Sequence, residues 1–151
     1  MRLTLTRGCG PRGLLPPSRP HPTLLIAPFP AAPAPGPASL IVSTRIRRDA
    51  HSPLSRIKSL NYLPNILARL EAEQRDADDA LLLNGAGQVA ESTVSTVLAL
   101  RDGRLLTPPV ADGALPGIAR AVLLEAGLVA EASLMPDDLA GGAILVNSLS
   151  V

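Results

Sequence analysis

The stretch Arg56-Ile57-Lys58-Ser59-Leu60-Asn61-Tyr62-Leu63-Pro64-Asn65 carries the only lysine in the chain. Apart from two histidines, every other basic side chain is arginine. A coding bias toward Arg explains surface positions, where either cation serves. It does not serve where chemistry needs a free amine. Arg stays protonated and cannot form a Schiff base, whereas a Lys amine can once its pKa falls. The plain alternative is a solvated Lys at a strand-to-helix corner, and composition alone favours it. Motifs further along the chain reverse that preference.

At 151 residues one ordinary domain is expected. Hydrophobic residues make up 46% of the chain, which is ample for a core, and Leu, Ala, Val and Ile supply nearly all of it. Phe29 and Tyr62 are the only aromatics. That argues against a base-stacking nucleic-acid surface. A net charge of +1 exerts no general pull on polyanions or membranes, so neither is expected as a partner. Up to Lys58 the basic residues are almost all Arg and Asp49 is the only acid. Such a region could be a transit peptide or a nucleic-acid arm. Its two β-like apolar runs and many prolines, in place of an amphipathic helix, argue otherwise. Cys9 is alone, so neither an intrachain disulfide nor a cysteine metal cluster is expected, and no metal site is assigned. No run approaches the ~18 apolar residues of a membrane span, and no signal peptide is evident. A cytoplasmic protein is the default expectation.

Arg2 to Arg7 alternates polar and apolar residues, a half-buried strand pattern. Gly8 to Gly13 breaks it with turn chemistry, and Thr23 to Ala27 is a second apolar run. The prolines of 28–37 exclude a helix or a central strand there, so 31–37 reads as a stiff Pro/Ala linker. Two strands are marginal alone, so 1–30 reads as the last strands of an incomplete small domain. The remainder, 38–151, reads as the main domain, its final strand cut short. Ser39 to Ser43 is a strand candidate, and Arg45 to Arg56 a basic loop leading to Lys58. Leu63 to Arg75 reads as a helix with Leu63, Ile66, Leu67 and Leu70 on one face and charge on the other. Two hairpins follow, turning at 84–87 and at Asp102-Gly103. A helix opens at Leu115-Pro116-Gly117 and runs to about Ala126. Strands at Val129 to Ala132 and Ala143 to Val146 flank a short helix at Asp137 to Leu139. Hairpins interleaved with helices predict an α+β fold.

Glu91 ends an apolar hairpin strand and is followed by Ser92, Thr93 and Ser95. A carboxylate beside hydroxyls at a strand end suits a protonated heterocyclic nitrogen, although an exposed Glu in a turn reads the same. Gly117, Ile118 and Ala119 follow Pro116 at a helix start, which leaves the amides of Ile118 and Ala119 free for a phosphate. A lone amine, then a carboxylate, then a phosphate cradle is the equipment pyridoxal 5'-phosphate requires.

On these residues the chain resembles the class IV aminotransferase family, the fold-type IV pyridoxal phosphate enzymes. The resembling segments are Ile57 to Leu63, Asp79 to Asn84, Val89 to Thr93, Asp102 to Pro109 and Leu115 to Arg120. The resemblance implies the large C-terminal domain of that fold, a mixed sheet or pseudo-barrel with helices. It implies that Lys58 is the Schiff-base lysine and Glu91 the pyridine-nitrogen partner. Ser92, Thr93 and Ser95 then fall beside the cofactor, and Gly117, Ile118 and Ala119 at its phosphate. Ala119 stands where Thr is common, and Thr96 where Asn is usual. The loop from Thr6 to Gly13 is more like lyases and D-amino acid aminotransferases than branched-chain enzymes. Arg12 matches a substrate-carboxylate arginine, with Leu14 in place of its partner His. The C-terminal run Leu145 to Val151 is similar to the lyase pattern. The favoured expectation is therefore a 4-amino-4-deoxychorismate lyase, forming 4-aminobenzoate and pyruvate toward folate, with Arg12 and Asn147 at the substrate. The alternatives are a D-amino acid or branched-chain aminotransferase, or a truncated and inactive family member. Small amino substrates and, for a complete protein, a homodimer are the implied partners.

Overall fold

The computed structural model describes residues 1–30 and 36–149. Most of the expected linker, 31–37, lies outside the described residues, as do Ser150 and Val151. The chain divides into two units, Met1–Ala34 and Pro35–Val151.

In the first unit β1 (Arg2–Thr6) and β2 (Thr23–Ala27) pair antiparallel, Arg2 opposite Ala27 and Thr6 opposite Thr23. The alternation in β1 buries neither face. Leu3, Leu5, Leu24, Leu25 and Ile26 are all more than half exposed.

Among its described residues the second unit holds two sheets and two α-helices. β3 (Leu40–Arg48), β4 (Asp79–Asn84) and β5 (Val89–Ser92) form one sheet, with β3 parallel and β5 antiparallel to the central β4. β6 (Thr96–Arg101), β7 (Arg104–Thr107), β8 (Ala130–Glu131) and β9 (Ala143–Val146) form the other, in the order β8-β7-β6-β9. The β6–β7 turn places Asp102 and Gly103 at φ 53° and 73°. Left-handed geometry at both central residues is what a tight hairpin needs and what Asp-Gly tolerates. α1 spans Leu63–Glu73 and α2 spans Ile118–Glu125. Short 3-10 turns lie at Pro53–Arg56, Val110–Asp112 and Pro136–Leu139. The fold is α+β. Among the described residues no helix is long and apolar enough to cross a membrane.

The period-2 alternation of the central strands builds the layers. Leu81 and Leu83 of β4 join Val97 and Ala99 of β6, with Val89, Leu106 and Leu134, in one apolar cluster. The alternate side chains Ala80 and Leu82 pack on Ala68 and Ala72 of α1. Leu98 of β6 turns the other way, toward Val129, Val146 and the α2 residues Leu123 and Leu124. β4 is thus buried on both faces, which explains why it reads as a continuous apolar run.

Two expectations change. β3 does not end at Ser43. Its ladder breaks between Val42 and Arg47, then resumes with Arg47 opposite Leu83 and Arg48 opposite Asn84. The first third of the expected basic loop, 45–48, is therefore strand. The apolar stripe of α1 also faces away from the core. Leu63, Ile66, Leu67 and Leu70 are 44–60% exposed, whereas Asn65, Ala68, Glu71 and Ala72 are buried. The small side chains Ala68 and Ala72 let the helix lie close to β4. Glu71 reaches the broken part of β3, where its carboxylate accepts from Ser43 Oγ (2.7 Å), Thr44 N (2.9 Å), Thr44 Oγ1 (2.7 Å) and Arg45 N (3.4 Å).

Candidate functional site

Lys58 follows the 3-10 turn Pro53–Arg56, which Ser52 caps by accepting from Leu54 N at 3.2 Å. Ser55 ties the turn back to β3, its hydroxyl donating to the Asp49 carbonyl at 2.6 Å. The lysine is exposed. Its Nζ donates to Tyr62 Oη at 2.9 Å and lies 5.4 Å from that ring's centroid. Tyr62 is the residue at the N-terminal cap of α1, so the start of the helix sets the position of the phenol.

Glu91 of β5 is 8% exposed. Arg48 Nη2 lies 3.1 Å from its Oε1, and Oε2 accepts the Leu115 amide at 3.0 Å. Burial pushes the Glu91 carboxyl above its ordinary value. Arg48 most strongly, then the Leu115 amide and Lys58, oppose that rise without cancelling it. Lys58, Tyr62, Asn65, Glu91 and Leu115 line one cavity.

The turn after Glu91 closes on itself. Ser92 N donates to Ser95 O (2.9 Å), and Ser95 N to Ser92 Oγ (3.0 Å). Thr93 Oγ1 donates to Asp79 of β4, and Thr93 O accepts from Asn65 Nδ2 at 2.7 Å. Ser92 and Thr93 are 1% and 2% exposed, and neither lines the cavity. Their hydroxyls build the turn. Ser95 is half-buried, and its Oγ accepts from Asn147 Nδ2 at 3.1 Å, which brings two of the predicted residues together.

Gly117 caps α2 with extended backbone (φ −74°, ψ 156°). The first bond into the helix runs from Ala121 N to Gly117 O at 3.0 Å. The amides of Ile118 and Ala119 have no acceptor among the described residues. They point where the helix dipole favours an anion. A Cβ on Gly117 would lie 3.9 Å from Thr96 Oγ1, so this helix start adjoins the turn that carries Ser95. The neighbouring Arg120 is buried and donates to Pro108 O at 3.0 Å while pairing with Glu131, which anchors α2 to the end of β7 and to β8.

Arg12 is exposed in the β1–β2 loop of the first unit. Among the described residues no cluster of three His, Cys, Asp or Glu side chains is arranged to hold a metal ion. Sequence reasoning missed Arg48 and Tyr62. Tyr62 had a signal, since it lies four residues after the lone lysine and is one of two aromatics. Arg48 had none, being one Arg in a basic run.

The family model for amino-transferase class IV matches residues 1–151. A protein of Methanocaldococcus jannaschii assigned as a branched-chain-amino-acid aminotransferase is 36% identical over 129 residues, covering 83% of this chain and 44% of that protein. A Legionella pneumophila structure assigned as a 4-amino-4-deoxychorismate lyase superposes with a TM-score of 0.84 at 32% identity, covering 98% of this chain and 57% of that one. The Escherichia coli branched-chain amino acid aminotransferase superposes with a TM-score of 0.78 at 27% identity, covering 91% and 48%. The chain thus spans about half the length of these relatives.

Proposed function

Because the chain belongs to the class IV aminotransferase family, whose members are pyridoxal phosphate-dependent enzymes, we propose that it holds that cofactor and serves a lyase of the 4-amino-4-deoxychorismate type. The observation that carries this reading is the bond between Glu91 Oε2 and the Leu115 amide at 3.0 Å. It ties the carboxylate that shares a cavity with Lys58 to a segment that begins, three residues on, the helix with free amides.

The residues fit the cofactor. Lys58 offers an amine that reaches solvent. Glu91 has acceptor capacity beyond its two contacts, because a carboxylate offers about four lone-pair sites. Ile118 and Ala119 offer amides to a phosphate, and Thr96, the residue after Ser95, adjoins the same helix start at Gly117. When bound, pyridoxal phosphate supplies an aldehyde that captures amines and a ring that accepts electrons. Lys58 would hold the cofactor's aldehyde and would serve as general base toward the carbon bearing the substrate's nitrogen. The Tyr62 hydroxyl, 2.9 Å from Nζ, orients the amine and can share its proton. Glu91 would stabilise a proton on the cofactor's ring nitrogen. Asn147, through Ser95, and Arg12 are the substrate-side candidates, Arg12 as a carboxylate clamp. The lyase reading is supported by the C-terminal motif beginning at Leu145 and by the Legionella likeness over 98% of the chain. The aminotransferase reading is supported by the M. jannaschii relative and by a Listeria monocytogenes D-alanine aminotransferase, 44% identical over 69 residues.

Mixing the chain with pyridoxal 5'-phosphate should produce the visible absorbance of a lysine-bound cofactor. The loaded protein should then release 4-aminobenzoate from 4-amino-4-deoxychorismate. Amino transfer to 2-oxoglutarate without 4-aminobenzoate would establish the aminotransferase reading instead. No absorbance change at all would leave an inert family member.

The partner in this reading is a second copy of the chain, in the cytoplasm. Leu63, Ile66, Leu67 and Leu70 of α1, with Leu54, Ile57 and Leu60 from the segment around Lys58, expose 44–62% of their surface. An apolar stripe of this extent, rimmed by charge, marks an interaction surface. Leu67→Glu should halve the mass measured by light scattering while circular dichroism stays unchanged. An unchanged mass would remove α1 from the interface.

A further inference from the structure

We propose that Arg48 is a positioning residue for Glu91, fixing the direction of its carboxylate and keeping it anionic within the cavity wall. The inference rests on the reading of Glu91 as the partner of the cofactor's ring nitrogen. Arg48 connects three chain segments. Nη2 lies 3.1 Å from Glu91 Oε1 on β5, and also donates to Ser55 O at 3.0 Å in the turn before Lys58. Nε donates to Gly113 O at 3.1 Å in the loop leading to Leu115. All three groups that contact Arg48 are themselves held. Ser55 is bonded to Asp49 O, Glu91 to the Leu115 amide, and Gly113 N to Val110 O at 3.1 Å.

The local backbone is built to admit this side chain. Gly113 has φ 101°, and a Cβ there would come within 2.9 Å of Arg48 Cγ and 3.4 Å of Ala50 Cα. Only glycine leaves the arginine its path at no steric cost. The β3 break performs the other half, since the ladder resumes at Arg47 and Arg48 and carries the guanidinium toward β5. A lysine would bring the charge but not a planar fork able to meet separated acceptors.

Glu91 needs that cation. Other charged or titratable groups facing the same cavity are Lys58 ahead of α1, Tyr62 at its cap, and Arg47 and Asp49 of the β3 end. Among the described residues Arg48 alone lies within ion-pair distance of Glu91. A buried carboxylate without a cation takes up a proton. A protonated Glu91 cannot stabilise positive charge on a ring nitrogen.

The test is cofactor affinity of the chain from mildly acidic to mildly alkaline pH. Arg48→Met should weaken pyridoxal 5'-phosphate binding on the order of tenfold near neutrality, the size of a one-unit shift on a coupled titration. The deficit should close as pH rises and Glu91 ionises. Arg48→Lys should keep the wild-type pH profile at lower affinity. Adding Arg48→Met to Glu91→Gln should cost nothing further. A wild-type profile in Arg48→Met, or a loss equal at every pH, would overturn the proposal. A second readout needs no cofactor. In the cofactor-free chain the carbon-13 carboxyl titration of Glu91 should move to higher pH in Arg48→Met, and an unmoved midpoint would sink the idea. Where Arg48→Met does not fold, Arg48→Lys decides: a changed pH profile there counts against the charge role. If the wild type binds no cofactor, the reading of the site fails, while the carboxyl titration still decides the role of Arg48.

Discussion

Lys58→Ala should abolish the visible absorbance expected of pyridoxal 5'-phosphate on the wild-type chain, and Lys58→Arg should not restore it. The expectation is sharp because the chain has one lysine. Borohydride reduction of the loaded wild type should therefore place the cofactor mass on one side chain, in the peptide containing Lys58. The α-amino group is the only competing amine. Arginine keeps the charge and much of the reach but stays protonated, so it cannot condense with an aldehyde. Folding should be nearly indifferent to the change. Lys58 is exposed and makes one hydrogen bond, to Tyr62, and surface substitutions of this kind shift stability by about 0.5 kcal/mol or less. Loss of absorbance with an unchanged urea midpoint would assign Lys58 to the cofactor. A reduced adduct mapping elsewhere, or absorbance retained in Lys58→Ala, would refute it.

Lys58 and Glu91 stand out in the sequence because chemistry selects residue types. One amine among arginines and one carboxylate beside hydroxyls remain visible wherever the chain folds them. The structure puts both on the wall of one cavity. The hydroxyls were less legible. A Ser-Thr-x-Ser run serves equally as a ligand set or as a self-bonded turn, and here Ser92 and Thr93 bond within the turn and to Asp79. β2 and β9 have the limits their apolar runs suggest, since turn residues bound them on either side. α1 shows why periodicity alone is insufficient. It identifies an apolar side but not which side the sheet takes. Two alanines and an acid read as the solvent face, yet they form the buried one. Arg48 was illegible for a related reason. Its role depends on a strand break 43–46 and on a glycine 65 residues away in sequence, neither of which a local pattern encodes.

Glu71 is the second residue whose loss should be felt strongly, and the effect is on the fold. It is 3% exposed. Burial would push its carboxyl up, but hydrogen bonds from Ser43, Thr44 and Arg45 prevail and lower it from 4.5 to about 2. These bonds hold the break in β3 open, with Ser43 Oγ also accepting from Ile46 N at 3.1 Å. Glu71→Ala leaves those donors without their acceptor, a loss of roughly 3 kcal/mol. That is a large part of the ~5–15 kcal/mol available to a domain. The pH dependence follows from the direction of the shift. Because the folded carboxyl is the stronger acid, its stabilising effect is complete above about 4.5 and fades as pH falls toward about 2. Urea unfolding of the wild type should therefore weaken across that window, and Glu71→Gln should remove most of the slope at a smaller cost near neutrality. A Glu71→Gln protein with the wild-type slope would show that other carboxylates carry the acid sensitivity. Since the β3 break leads directly to Arg48, a destabilised break should also loosen Glu91. Glu71→Gln should thus weaken cofactor binding in proportion to the stability it loses, although residue 71 does not line the cavity.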